Sequence, residues 1–463
     1  RHTFTILKTK GFHTIISSMR MSIICRLCRQ FRGVQILHPA RGKIHLENRV
    51  IVVGAGPAGI MAAGQAALNG AEVVVVEKMA RTLLKLGITG KGRCNITNVA
   101  EIPEFITHFG ANGRFLRQAF HRFFSPELLE MLQQAGVTTT TERGGRVFPT
   151  SGKALQVVHA LRRWAEKSGV EIKATTAVDA LLMDASGITG VRCTGTDYAA
   201  AAVILATGGA SYPATGSTGE GYRLAREVGH SIVEVRPALV PLLTASTGAA
   251  AHLNALTLRN VGVRLYVERK KHSEAFGELT FIPKGVSGPV ILTLSLAAVD
   301  ALRAGSKVSL EIDLKPALDD KKLDARLLRD FAKRAHEPMH SILRGLLPRE
   351  LVEVCLESTQ VDSAQPGHSV SAQARKNLLH WLKHFTLDVS GHAPMDEAIV
   401  SAGGIDLREV NPRTMESNLV PGLYFAGEVL DLQADTGGYN LQAAFSTGWL
   451  AGTSAAAALH PQL

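Results

Sequence analysis

Val50-Ile51-Val52-Val53-Gly54-Ala55-Gly56-Pro57-Ala58-Gly59 is a buried-strand run that opens into a G-x-G-x-x-G turn. A helical stretch over 57–68 follows, then a second apolar strand over 72–76 that ends on an acid, Glu77. Strand, Gly-rich turn, helix, strand and terminal acid in this order are a dinucleotide-binding βαβ unit. Gly54 lets the chain turn tightly, Gly56 lets backbone amides approach a pyrophosphate, and Gly59 lets helix and strand pack closely. The pyrophosphate belongs on the helix N-terminus, where unpaired amides and the helix dipole favour an anion. Glu77, 23 residues after Gly54, is placed to accept ribose hydroxyls.

The chain has 463 residues, 46% of them hydrophobic, enough to bury a large core and form two or three domains. No uninterrupted apolar run reaches the length of a membrane span, so no membrane insertion is expected. The formal charge of +11 concentrates in residues 1–48, which carry nine Lys/Arg and one acid, or +8, leaving 11 − 8 = +3 for the rest. A nearly balanced body argues against a basic nucleic-acid-binding face. The arm itself reads as disordered or targeting sequence: an organellar transit peptide, or upstream sequence read through. Cys25 and Cys28 lie in that arm without further ligands nearby, so no metal is expected, and five scattered cysteines fit a reducing compartment such as the cytoplasm.

Beyond the first βαβ unit, the segment 87–98 (GITGKGRCNITN) is too rich in glycine and polar residues for a regular element and reads as a ligand-shaped loop. A second buried strand over 201–206 runs into Thr207-Gly208-Gly209, a natural second contact beyond the carboxyl end of a parallel strand. From Pro237 the pattern changes to alternating strands, predicting a β-rich insertion over 237–316, and residues 317–390 carry amphipathic helical patterns. The strand over 422–427 (GLYFAG) and the apolar helix over 441–459 then complete the first domain, which comprises 49–236 and 391–463.

Four longer strings carry a resemblance: TGKGRCNITN at 89–98, GRVFPTS at 145–151, ATGGASYPATGSTGEGY at 206–222 and TMESNLVPGLYFAGEVLDLQADTGGYNLQ at 414–442. With these the chain resembles, over roughly 49–460, the HI0933-like family of NAD(P)/FAD-dependent oxidoreductases. The resemblance implies an α/β protein: a Rossmann-type domain holding FAD non-covalently, with an inserted β-barrel-like domain and a small helical subdomain closing over the flavin. It implies an FAD-dependent oxidoreductase of a small or hydrophobic molecule and leaves the reaction open. An NAD(P)H-linked reductase stands beside an amine oxidase using O2, since similar proteins reduce steroid-like enones or oxidise aminoacetone. A third reading is a flavin-bearing RNA-binding or regulatory protein that uses the basic arm. At 277–289 this chain reads GELTFIPKGVSGP, with Ile282 and Pro283 where the family usually has Thr-His, so a proton donor at that His is not available here.

The candidate FAD contacts are Gly54, Gly56, Pro57, Ala58, Gly59, Glu77, Lys78, Lys85, Thr89, Gly90, Gly92, Arg93, Cys94, Asn95, Thr207, Gly208, Gly209, Gly427, Glu428, Asp431, Gly437, Gly438, Tyr439, Asn440 and Leu441. The helix beginning at Asn440 is expected to aim its amides at the charge that develops near flavin N1. Glu428 and Asp431 read as ribityl or phosphate-side contacts, with capping as the plain alternative for Glu428. Arg93 and Tyr439 are the candidate catalytic residues, the first pairing with an anion and the second donating a proton or merely walling the flavin. Cys94 reads as a redox partner or a small packed residue. One G-x-G-x-x-G and no second fingerprint leave NAD(P)H as a transient donor rather than the occupant of its own domain.

Overall fold

The computed structural model describes residues 48–245 and 253–459 and, before them, the backbone of a small antiparallel sheet, Phe4–Thr9, Phe12–Ser17 and Gln35–Ile36. Those strands lie within the arm expected to be disordered or targeting sequence; Cys25 and Cys28 fall outside the described residues.

The strand Arg49–Val53 is the centre of a five-stranded parallel sheet, in the order Leu423–Phe425, Ala202–Leu205, Arg49–Val53, Glu72–Val76, Glu171–Lys173. Its residues are buried on both faces, which is why they read as continuous β-branched runs and not as alternation. Helices Pro57–Leu68 and Tyr439–Leu459 pack tightly together over this sheet. They approach so closely because Gly448 and Gly452, one turn apart, face Ala58 and Ala62. A Cβ at Gly448 would lie 2.3 Å from the Ala58 carbonyl oxygen, and one at Gly452 2.2 Å from that of Ala62. Gly59 does the same towards the strand, since a Cβ there would sit 1.9 Å from the Gly54 carbonyl oxygen.

A two-stranded antiparallel ribbon, Ile232–Ala238 with Val400–Ile405, carries the chain out of this layer and back. Between its arms lies a closed six-stranded barrel, in the order Leu242–Thr244, Gly285–Ser287, Lys270–Ile282, Thr257–Val267, Val308–Asp313, Phe385–His392. Helices Asp320–Lys333, Met339–Leu343, Arg349–Thr359 and Ala372–Lys383 are spliced in between the last two barrel strands. The expected boundary at 390 therefore falls inside a barrel strand. Helical residues such as Leu323, Leu327, Phe331 and Leu378 share one hydrophobic core with barrel residues such as Leu265, Leu310 and Val389. Barrel and helices form a single packed body, because the helical faces have no other apolar surface to cover.

The Gly-rich segment differs in part from its expectation. A helix begins at Leu84, where a loop was expected from residue 87, and helical geometry fails from Thr89 to Gly92, with φ of 58° at Gly90 and Lys91 and 81° at Gly92. Cys94, at φ 62°, turns the chain again.

Candidate active site

The carboxyl ends of the parallel strands and the near wall of the barrel enclose a cavity of about 1590 Å3. That exceeds the roughly 300–1,000 Å3 of a site for one small ligand, leaving room for a cofactor and a second molecule together.

At the first strand end, Gly54 has φ 99° and its amide donates to the Val76 carbonyl at 2.8 Å. Gly56 has open space where a Cβ would be, so the cavity reaches the backbone at the start of helix Pro57–Leu68. Glu77 is held by two backbone donors: Ala55 N to Oε2 at 2.7 Å and Met79 N to Oε1 at 2.8 Å. Each carboxylate oxygen keeps a lone pair for a ribose hydroxyl. Thr207, at the next strand end, lines the cavity with its Oγ1 buried and without a partner among the described residues. That hydroxyl faces Gly221, where a Cβ would lie 1.9 Å from it, so it packs against helix Glu220–Glu227 and not into the cavity. Open glycine backbone and an oriented acid in one cavity fit FAD.

The sequence-derived contacts divide. Gly54, Gly56, Pro57, Ala58, Glu77, Lys78, Lys85, Thr89, Gly90, Arg93, Asn95, Thr207, Gly208, Gly427, Glu428, Gly437, Gly438, Tyr439, Asn440 and Leu441 line the cavity. Gly59, Gly92, Cys94, Gly209 and Asp431 do not. Gly59 serves packing. Gly209 leaves room for Ser401 and Glu428, whose Oγ and Oε1 a Cβ would meet at 1.9 and 2.7 Å. Asp431 turns away to accept from Asn112 Nδ2 at 3.0 Å and Gly403 N at 3.1 Å, and burial raises its pKa. Cys94 is fully buried, and burial pushes its thiol up to about 12, which removes the thiolate a redox role needs.

Two charged candidates are already engaged. Glu428 accepts from Lys85 Nζ at 2.7 Å and from Ser401 N at 2.8 Å, closing the cavity floor with an ion pair. Arg93 lies over the Phe148 ring at 4.2 Å and pairs with Glu142, which holds its guanidinium against the wall. Tyr439 stacks on His108, with centroids 3.8 Å apart, and meets Phe105 edge-on. Burial first, then the carboxylates of Glu104 and Asp435, hold its phenol above the ordinary value, so it stays protonated at neutral pH. His108 Nδ1 lies 3.0 Å from Asp435 Oδ2, itself on the cavity wall. Asn440 pins the loop before it, accepting from Ala434 N at 2.8 Å and donating to the Ala434 carbonyl at 2.9 Å. Asn95, with its amide turned to suit both neighbours, accepts from Gly438 N at 3.0 Å, which removes Gly438 from the amides facing the cavity.

Of the segment 281–289, expected from the sequence to lie over the flavin and line the substrate cavity, Ile282, Ser287, Gly288 and Pro289 line it, while the strand leading into that segment was missed. Phe276, Glu278, Thr280 and Ile282 project into the cavity from alternate positions of one strand, while Leu279 and Phe281 fill the barrel core. The period-two pattern is visible in the sequence, but not which face meets the cavity. Pro283, by contrast, is exposed and does not line the cavity. Of the Ile282-Pro283 pair that departs from the family pattern, only Ile282 reaches the site.

The chain matches the HI0933-like protein Rossmann domain model over residues 48–454. It belongs to the HI0933-like family. It is 32% identical over 411 residues to the 3-dehydro-bile acid delta(4,6)-reductase of Clostridium scindens, covering 88% of this chain and 99% of that protein. It is 29% identical to the ribosomal RNA dihydrouridine synthase of Haemophilus influenzae and 28% to that of Escherichia coli, covering in each case 86% of this chain and 96% of the relative. The protein is an FAD-dependent oxidoreductase of Rossmann-type fold. Among the described residues no helix is long and apolar enough to cross a membrane.

Proposed function

We propose that the protein reduces a carbon–carbon double bond conjugated to a carbonyl in a small, largely apolar substrate, with NAD(P)H as the source of electrons. The observation that carries this is the shape and lining of the cavity. Its volume accommodates a second molecule beside the cofactor, and the barrel side of that space is walled by Phe276, Ile282, Leu239, Leu292 and Pro289. Such a wall suits a flat apolar body. The activities named for the relatives share this chemistry, because a 3-keto steroid with unsaturation at carbons 4 and 6 and a uracil ring both present C=C–C=O. Bound FAD supplies hydride-transfer chemistry.

The protein's own residues hold, orient and shield. Glu77 and the amides beyond Gly56 fix the nucleotide end. The Lys85–Glu428 pair forms the floor, and the N-terminus of helix Tyr439–Leu459 faces the other end. The described Rossmann-type layer carries a single Gly-rich fingerprint, so the nicotinamide visits the substrate space in turn.

A second reading, a uracil ring within RNA, is favoured by Arg81, Lys91 and Arg143. All three are exposed on the cavity wall and have no carboxylate partner among the described residues. One experiment separates these readings. The flavin is reduced anaerobically with NADH or NADPH and then mixed with a steroidal enone or with uridine-containing RNA. Reoxidation by the enone supports the first reading, reoxidation by RNA alone the second, and bleaching by an amine in place of NAD(P)H overturns both.

A further inference from the structure

We propose that Arg259, with Asn260 beside it, receives the substrate's carbonyl oxygen and stabilises the negative charge that reaches it during reduction; the inference rests on the conjugated-carbonyl reading above. Strands Thr257–Val267 and Lys270–Ile282 pair regularly on both sides of this point, Leu258 opposite Leu279 and Val261 opposite Gly277. Two residues, Arg259 and Asn260, therefore oppose the single Glu278. This is a β-bulge, with Asn260 in the left-handed region at φ 58°. In an unbroken strand, neighbouring side chains point to opposite faces. Here Arg259, Asn260 and the opposing Glu278 all line the cavity, so the bulge has turned two consecutive side chains towards it.

Arg259 is also uncommitted. Arg264, further along the same strand, is tied to Glu311 Oε1 at 2.7 Å, and the sequence-derived candidate Arg93 is tied to Glu142 and Phe148. Arg259 is exposed and has no ion-pair partner among the described residues, Glu278 included. A non-glycine residue in the left-handed region costs the fold, and such backbone collects at functional positions. Glu278 opposite brings the local charge close to zero, which suits a neutral carbonyl better than a free carboxylate.

The chemistry balances without a new reactant. Hydride addition at the β-carbon forms a C–H bond as the C=C pair shifts, giving an enolate with its charge on oxygen. The enolate takes a proton from water at the α-carbon, and the two electrons come from the dihydronicotinamide, which is oxidised. Arg259 keeps its proton throughout and acts only by donating hydrogen bonds to the oxygen.

The test compares wild-type, Arg259→Gln and Arg259→Lys holoenzymes. Measured are flavin content, the rate of flavin reduction by NAD(P)H, the rate of reoxidation by excess 2-cyclohexenone, and the pH at which bound para-nitrophenol ionises. Arg259→Gln is expected to keep its flavin, while reoxidation at saturating enone falls about 100-fold, as when one oxyanion donor is removed, and by more than reduction by NAD(P)H falls. Bound nitrophenol should ionise at least about one pH unit higher than in wild type, and Arg259→Lys should recover part of that shift. Wild-type reoxidation and an unshifted nitrophenol in Arg259→Gln would overturn the proposal, as would loss of flavin, which would place Arg259 on the cofactor. A wild-type flavin that no enone or uridine reoxidises would instead sink the functional reading, while the nitrophenol titration still reports whether Arg259 faces the ligand.

Discussion

Replacing Glu77 by Gln tests the nucleotide end of the site with little change in shape. The carboxylate accepts from Ala55 N and Met79 N and keeps lone pairs for the ribose. Gln retains one acceptor oxygen and turns an NH2 towards whichever backbone donor the second oxygen served. One accepted hydrogen bond is lost, and the charge that strengthened the others goes with it. Hydrogen bonds to charged groups contribute about 1.5–3 kcal/mol each. Glu77 is only partly buried, so the lower half of that range applies, or about a 10- to 50-fold weaker FAD complex at 1.4 kcal/mol per tenfold. The assay is reconstitution of stripped apoprotein, titrating FAD and, separately, FMN by flavin fluorescence quenching. FMN lacks the adenosine ribose, so its affinity should be the same in both proteins. Equal FAD affinity in Glu77→Gln and wild type, or an equal loss for FMN, would refute the assignment.

Three further outcomes are expected. Gly438→Val should yield protein with weaker FAD binding or a lower flavin potential by spectroelectrochemical titration, because φ is 98° and a Cβ would sit 2.4 Å from the Thr97 carbonyl oxygen. Gly438→Ala should share the defect, which separates backbone geometry from side-chain bulk. Pro283→His should leave turnover and flavin content unchanged, since Pro283 lies off the cavity, whereas Ile282→Thr should alter substrate preference in steady-state kinetics. Cys94 should resist iodoacetamide in the native protein at pH 8 and react on unfolding, because its thiol is pushed from 9.0 up to about 12. The stabilisation from that protonated thiol is complete below pH 9.0 and is lost as pH rises towards about 12, so Cys94→Ala should flatten the alkaline fall in thermal stability.

The nucleotide end of the site was legible in the sequence because its physics is local. Gly54, Gly56 and Glu77 owe their places on the cavity wall to one strand-turn-helix-strand unit, and the structure sets helix Pro57–Leu68 and strand Glu72–Val76 at the spans read from the pattern. The substrate end was not legible, because it is made by distant segments. Arg259 and Glu278 become a feature only once two strands pair with a one-residue mismatch, and pairing register is a property of both strands together. Asp431 was misplaced for a related reason. Neighbouring Glu428 was read as a contact and does line the cavity, but three residues on the chain has turned and Asp431 braces Gly403. The helical piece was recognised by its period, while its insertion between two barrel strands is topology that no local pattern carries.

The close seating of helix Tyr439–Leu459 on helix Pro57–Leu68 has a consequence for biosynthesis. Helix Pro57–Leu68 is made early, yet the Gly448 and Gly452 surface that covers it is made far later, and the edge strand Leu423–Phe425 also follows the whole barrel in the chain. Chains emerge from the ribosome amino end first at about 5–20 residues per second, so the first helix waits roughly twenty seconds or more for its lid. During that wait its Ala-rich face is bare to solvent, and the barrel, whose last strand is Phe385–His392, closes before the Rossmann-type layer does. Flavin loading at this site is therefore a step that waits for synthesis of helix Tyr439–Leu459. Ribosome-stalled chains ending at residue 420 should retain no FAD however much is supplied, whereas released chains that include helix Tyr439–Leu459 should take it up.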